Sequence, residues 1–344
     1  MGGEVAVNTV TEETWNGVAE VLRTAGEVCL AAHVNPDGDS LGSAIALAIA
    51  LRSMGKNVYI SFGDEPFVVP DSLEFLPSLD SLVPPEEFPS SPQVLVVLDT
   101  ASRERLGVIA DRLDKAQTVI VIDHHVTNDG FGTYNLIDTE AAATAVITER
   151  LLERLGIALT RDVATALYAG IASDTGSFKY RTTTPATHRL AAKLLAAGVM
   201  PDVVGHYLWD KASVQYLKLL AVVLGGVQLD VNAADGRGLV WATVSREDRR
   251  TFEISFSMTE GVIDLVRKAS EAEVVAVLRE HDSGGVYQVS MRSNGTLDVG
   301  GVCTSLGGGG HRYAAGFTSH LDEFDTVARI KDALSKEPDD NSGH

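Results

Sequence analysis

The sequence predicts an α/β protein. Its N-terminal part reads as a doubly wound, mainly parallel sheet with helices on both faces, followed by a smaller α/β C-terminal domain. Three observations predict this. The chain has 344 residues, more than one hydrophobic core ordinarily organises. Its strand candidates Val28 to Ala32, Val94 to Leu98 and Thr118 to Ile122 are continuous apolar runs, as expected of strands buried on both faces. Helix-like segments separate them, the pattern of crossover connections.

In order, residues 14–25 read as an amphipathic helix leading into the strand Val28 to Ala32. The turn His33-Val34-Asn35-Pro36-Asp37-Gly38-Asp39-Ser40 follows, then a helix from Leu41 to Met54 that Ser40 or Asp39 can cap. Asn57 to Phe62 is a second strand, and residues 64–92 are a polar surface connection. Val94 to Leu98 ends at Asp99, Val108 to Lys115 is a short helix, and Thr118 to Ile122 ends at Asp123-His124-His125. Ala141 to Leu155 and Asp162 to Ala172 are helices, the first opened by the caps Asp138 and Glu140, the second running into Ser173-Asp174-Thr175-Gly176. The expected domains are 1–185, a helical connection at 186–216, 217–336, and a disordered tail at 337–344. In the C-terminal domain, Val227 to Val231, Gly238 to Val244, Glu273 to Arg279 and Gly285 to Met291 are strand-like. Ser245 to Thr251, Gly261 to Ala269 and Leu321 to Leu334 are helix-like.

Composition narrows the function. A formal net charge of −19 repels long polyanions, so tight duplex DNA binding is not expected. A small anion held by metals and a few placed cations remains compatible. No apolar run is long enough to span a bilayer, and Met1 to Glu13 lack a signal-peptide core. Cys29 and Cys303 read as free thilos of a reducing cytoplasm rather than a disulfide.

The opening turn places His33, Asp37 and Asp39 at i, i+4 and i+6, more potential ligands than a helix cap needs. Three polar clusters fall at C-terminal strand ends, the edge where open α/β sheets bind ligands. Together His33, Asp37, Asp39, Asp99, His124 and Asp174 supply four carboxylates and two imidazoles. Without cations those carboxylates would repel one another. Two divalent ions offset them, and an oxygen-rich set without thiolate favours Mn²⁺, with Mg²⁺ or Co²⁺ as substitutes. Such paired ions, about 3.5–4 Å apart, suit phosphoester hydrolysis. In an extended segment His124 and His125 face opposite ways, so one can bind metal while the other meets substrate.

These motifs, in this order and closed by Gly307-Gly308-Gly309-Gly310-His311, resemble the DHH phosphoesterases with their DHH-associated C-terminal domain. The bacterial nanoRNase branch is the nearest resemblance. It implies hydrolysis of very short oligoribonucleotides and of 3′-phosphoadenosine 5′-phosphate, with cyclic di-AMP or its linear product as further substrates. It also implies a homodimer. Carried over, His33, Asp37 and Asp99 hold one metal, while Asp39, Asp99, His124 and Asp174 hold the other. His125 faces the scissile phosphate, and Asp123 orients its histidine neighbours. Arg105 contacts substrate, with Arg103 as its neighbour. Arg292, Ser293 and Asn294 form a phosphate-binding turn, and Gly308, Gly309, Gly310 and His311 close the site. The glycine run can form an anion nest.

Other readings are a cyclic-dinucleotide-specific phosphodiesterase, a family II pyrophosphatase, a RecJ-like exonuclease, and a non-catalytic nucleotide-binding protein on the same fold. The Gly-rich ending disfavours the pyrophosphatase, length and acidity the exonuclease, and the complete ligand set the non-catalytic protein. His188, His206, His281 and His320 match no motif and read as structural.

Overall fold

The structure is a computed structural model and describes residues 10–336. The expected tail at 337–344 lies outside the described residues. The chain divides into two compact units, at Met1–Lys211 and Ala212–His344.

In the first unit, α1 (Glu12–Thr24) leads to β1 (Glu27–Ala32), α2 (Gly38–Ser53) and β2 (Asn57–Phe62). Then come β3 (Val94–Leu98), a 3₁₀ stretch (Arg103–Ile109), α3 (Arg112–Lys115), β4 (Thr118–Asp123) and β5 (Tyr134–Ile137). Helices α4 (Thr144–Leu155), α5 (Arg161–Asp174), α6 (Pro185–Ala196) and α7 (Pro201–Gly205) close the unit. The five strands form one parallel sheet in the order β2-β1-β3-β4-β5. Neighbouring residues of each strand enter different cores. Val28, Leu30, Val96, Leu98, Ile120 and Ile122 pack into one. Cys29, Ala31, Leu95, Val97, Val119 and Val121 pack into the other. Burial on both faces is why these strands are apolar throughout. Strand order reverses between β1 and β3, so the chain leaves their C-terminal ends in opposite directions and opens a crevice there.

Several local expectations change. The cap of α2 is Asp37: its Oδ1 accepts the N–H groups of Asp39 and Ser40, and the Ser40 hydroxyl accepts that of Asp37. The single helix expected at 108–115 is divided, with Gly107 at φ +53° inside the preceding turn. Leu73, Leu76 and Phe88 of the 64–92 connection are buried. Strand β5 was not legible, because it is short and half-exposed. Ala191, Leu194, Val199 and Val204, from the stretch read as a connection, pack into the first unit's core.

Helices α2 and α5 approach closely because small residues face each other. A Cβ on Gly42 would lie 2.4 Å from the Ala166 carbonyl oxygen. One on Gly170 would lie 2.6 Å from Asp39 Oδ1.

The second unit contains α8 (Val214–Gly225), β6 (Gln228–Asp230), the short turn-like α9 (Ala233–Gly236), β7 (Leu239–Val244), α10 (Arg246–Thr251) and α11 (Val262–Val266). Next come β8 (Val274–Glu280), β9 (Tyr287–Ser293), α12 (Val299–Ser305), β10 (Gly309–His311), β11 (Ala314–Ser319) and α13 (Glu323–Leu334). Its mixed sheet runs β10-β11-β9-β8-β7-β6. Val274, Ala276 and Leu278 face the core beneath α12 and α13. Val275 and Val277 face the opposite core, with α8 and α11. Helices α8 and α12 were not separated from their loops in the sequence. No helix among the described residues is long and apolar enough to cross a membrane.

Candidate metal centre

The residues that follow β1, β3 and β4 converge at the crevice. Three overlapping groups of donor atoms form, each within 4.8 Å. They are His33, Asp37 and Asp99; Asp39, His124 and Asp174; and Asp99, His124 and His125. Asp99 joins the first to the third. His33 Nε2 lies 3.7 Å from Asp37 Oδ1 and 3.5 Å from Asp99 Oδ2. His124 Nε2 lies 2.9 Å from Asp174 Oδ2 and 3.6 Å from Asp99 Oδ1. Asp99 holds a left-handed backbone, φ +56°. That conformation is uncommon for a residue with a side chain, although Asp tolerates it better than most.

Each imidazole is oriented from behind. His33 Nδ1 lies 2.8 Å from the Val34 carbonyl oxygen, and His124 Nδ1 lies 3.2 Å from that of Ala141. With Nδ1 turned to a carbonyl, Nε2 is the atom that faces the carboxylates, and it would offer a lone pair there once a cation displaced its proton. His125 differs: its Nδ1 bonds Asp123 Oδ1 at 2.8 Å, leaving Nε2 outside that contact. Asp123 is fully buried and also accepts the His124 N–H and, at 2.6 Å, the Asn128 amide. Burial pushes its carboxyl up, but the His125 imidazole and the Asn128 amide outweigh this and hold it below the ordinary value.

Asp39 has a second task that its sequence position did not reveal. Its carboxylate accepts the Thr144 N–H at 2.6 Å and the Ala145 N–H at 2.8 Å, closing the start of α4. The Thr144 hydroxyl donates to Asp99 Oδ1 at 3.0 Å. Asp138 and Glu140 therefore do not cap α4. Asp138 accepts the Glu140 N–H and pairs with Arg150, and the helix begins at Thr144. Thr144, Asn128 and Gly170 are site-supporting residues that sequence reading missed.

Crowded carboxylates shift one another. Burial, then repulsion from Asp99 and Asp174, pushes Asp39 well above the ordinary carboxylate value. Burial raises Asp174 to about 6, with repulsion from Asp99 and Asp37 adding to it and the His124 hydrogen bond opposing it. Burial disfavours the charged imidazoles, yet the surrounding carboxylates prevail. His124 rises to about 11 and His33 goes well above its usual value. This excess negative charge, met by two Nε2 donors and no thiolate, fits a divalent cation. Both cysteines are free and buried.

Arg105 lies beside this centre, its Nη2 3.1 Å from His33 Nδ1, whereas Arg103 pairs with Asp114 at 2.6 Å. In the second unit, Arg292 and Ser293 lie in β9 itself rather than on the turn, and Asn294 follows. The Ser293 hydroxyl reaches Glu273 at 3.5 Å, and the Asn294 amide donates to the Arg267 carbonyl. Two N–H groups of the glycine run are already used. Gly307, at φ +86°, donates to Thr304 and Gly308 to Cys303, the paired bonds that close α12. Gly309 and Gly310 run into β10. There they pair with Gly316 and Ala315 of β11. The side chain of His311 lies outside the described residues. Of the unassigned histidines, His188 stacks on Phe178 at 5.2 Å and His206 meets Tyr207 edge-on.

Comparisons with known proteins identify the family. Residues 27–171 match the model of the DHH family, N-terminal domain, and residues 242–336 match the DHHA1 domain. The chain is 35% identical over 324 residues to the bifunctional oligoribonuclease and PAP phosphatase NrnA of Thermus thermophilus, covering 93% of each chain. It is 28% identical over 327 residues to the protein of the same description in Bacillus subtilis, covering 92% of this chain and 98% of the relative. The crystal structure of an exopolyphosphatase-related protein from Bacteroides fragilis superposes with a TM-score of 0.87 at 22% identity, covering 96% of this chain and 97% of that one. The chain belongs to the DHH family of phosphoesterases, with a DHHA1 domain in its second unit.

Proposed function

We propose that the chain is a manganese-dependent phosphoesterase that holds two cations and hydrolyses short oligoribonucleotides and 3′-phosphoadenosine 5′-phosphate. The observation that carries this reading is the overlap of the donor groups, with Asp99 joining the first to the third and His124 the third to the second. His33, Asp37 and Asp99 would hold one cation, and Asp39, Asp99, His124 and Asp174 the other. The names of the relatives support the substrate class. When bound, the cations would neutralise the carboxylates, polarise a phosphoryl oxygen and acidify water.

The chain's own residues do the rest. Asp123 fixes the His125 ring through Nδ1, so Nε2 is the atom offered to the phosphate, as hydrogen-bond or proton donor. Arg105 adds a positive charge next to the His33 end. Arg292 and the backbone at Gly309 and Gly310 would hold a further phosphate.

Oligoribonucleotides of two to about twenty-four residues should lose kcat/KM steeply beyond about five, because each added phosphate meets an acidic surface. The assay uses Mn²⁺ at one salt concentration, includes 3′-phosphoadenosine 5′-phosphate and cyclic di-AMP, and identifies products by mass. Efficiency that rises with length would overturn the short-substrate reading.

A further inference from the structure

The second unit buries two arginines around one phenyl ring. Arg279 is 6% exposed and Arg249 is 2% exposed. Their guanidinium carbons lie 4.7 Å and 5.3 Å from the Phe256 ring centre, and His281 meets the same ring edge-on at 5.5 Å. Arg249 is anchored through Nη2, which donates to the Glu280 carbonyl at 2.7 Å and to Asp282 at 2.9 Å, while its Nε has no partner among the described residues. Arg279 is not anchored. Among the described residues its Nε and Nη1 have no hydrogen-bond partner. Its nearest carboxylate, on exposed Glu260, is 3.8 Å away, beyond hydrogen-bond distance.

A buried guanidinium left this way is costly, and ordinary packing does not require it. Strand register shows what accompanies it. Arg279 pairs with Gln288, Val277 with Ser290 and Val275 with Arg292, so these side chains share one face of the sheet. On β9 that face alternates with the buried Val289 and Met291. Gln288, Ser290 and Arg292 thus form a polar row, with Arg279 beside one end and Arg292 at the other. Burial lowers the pKa of Arg279, the Glu260 carboxylate opposes this, and repulsion from Arg249 and Arg292 adds to it.

We propose that Arg279, with Gln288 and Ser290, forms a second anion subsite that takes an additional phosphate of a nucleotide whose first phosphate is held by Arg292. This rests on the function proposed above for Arg292. The occupant is a phosphate-bearing ligand, because a guanidinium fork matches phosphate oxygens and a surface of this net charge otherwise repels them.

The test titrates the full-length protein, with a chelator to stop turnover, against 3′-phosphoadenosine 5′-phosphate, 5′-AMP and inorganic pyrophosphate. Arg279→Met should weaken 3′-phosphoadenosine 5′-phosphate about tenfold and 5′-AMP less than about twofold. Arg279→Lys, which keeps the charge and loses the fork, should fall between, and is read alone if the Met variant does not melt cooperatively. Equal losses for both nucleotides, or no loss for either, would overturn the proposal. If the wild type bound neither nucleotide, the substrate reading would fail. Pyrophosphate binding that depends on Arg279 would then sustain the anion subsite, and pyrophosphate binding indifferent to it would remove that as well.

Discussion

The Asp39 carboxylate accepts the backbone N–H of Thr144 at 2.6 Å, across 105 residues of sequence. One side chain therefore presents an oxygen toward the candidate metal centre and closes the first turn of α4. Its two roles separate in part by substitution, because an amide keeps one oxygen for one of the two N–H groups, turns a donor toward the other, and is a far poorer cation ligand.

Asp39→Asn should keep the fold and lose metal. Asp39→Ala should lose metal and also cost about 1–2 kcal/mol, the usual penalty for a missing helix cap. Urea melts in chelator and metal analysis of both variants check this. Equal stability of the Asn and Ala forms would show that the cap contributes nothing.

Asp99→Ala should abolish turnover and lower bound metal without unfolding the protein, since Asp99 lies at a strand end. Its left-handed backbone adds a finer expectation. In chelator, Asp99→Gly should be more stable than Asp99→Ala by about 1 kcal/mol, because glycine adopts that conformation freely. Thermal melts of the pair decide it.

The adjacent histidines should behave differently. His124→Ala should lose metal, since its Nε2 faces Asp174 and Asp99. His125→Ala should retain metal and lose about 10²–10⁴-fold in rate, the range for a proton-transfer group. Metal content and turnover measured on the same preparations test the assignment, and equal metal loss in both would reverse it.

The stripped protein should become more stable as pH falls from about 9 to about 6. Asp174 is raised to about 6, so its contribution is lost as pH rises from its unfolded value to about 6, which extends the same trend below the window that His124 governs. His124 is raised to about 11, so its contribution is complete below its unfolded value and is lost as pH rises through 11. Both signs agree. Metal binding needs the same groups deprotonated. The drop in melting temperature caused by a chelator should therefore grow with pH. A drop that shrinks between pH 6 and 8.5 would contradict the cluster's electrostatics.

The parallel sheet was legible because burial on both faces leaves a continuous apolar run, and His33, Asp37 and Asp39 because one short turn carries them. Asp99 was legible as the polar end of such a run. What stayed hidden depends on contacts between distant residues. Nothing in Ala-Ala-Ala-Thr144 says that its N–H meets Asp39. Asp138 and Glu140 have the chemistry of caps, but the chain turns before the helix begins. The glycines at 307 and 308 looked free to bind an anion. Their N–H groups instead finish a helix that the sequence did not announce.

The close contact of α2 with α5 also limits how this protein can be stabilised by design. Replacing helical glycine with alanine ordinarily gains about 0.4–1 kcal/mol by restricting the unfolded chain. At Gly42 and Gly170 that gain is out of reach. A methyl on the first would strike a backbone oxygen, and one on the second would strike the carboxylate of Asp39. A thermostabilised variant built by helix propensity alone would therefore wedge the two helices apart at the metal ligands. Its losses would appear both as weaker cation affinity and as a lower melting temperature, since overpacking costs about 1–3 kcal/mol.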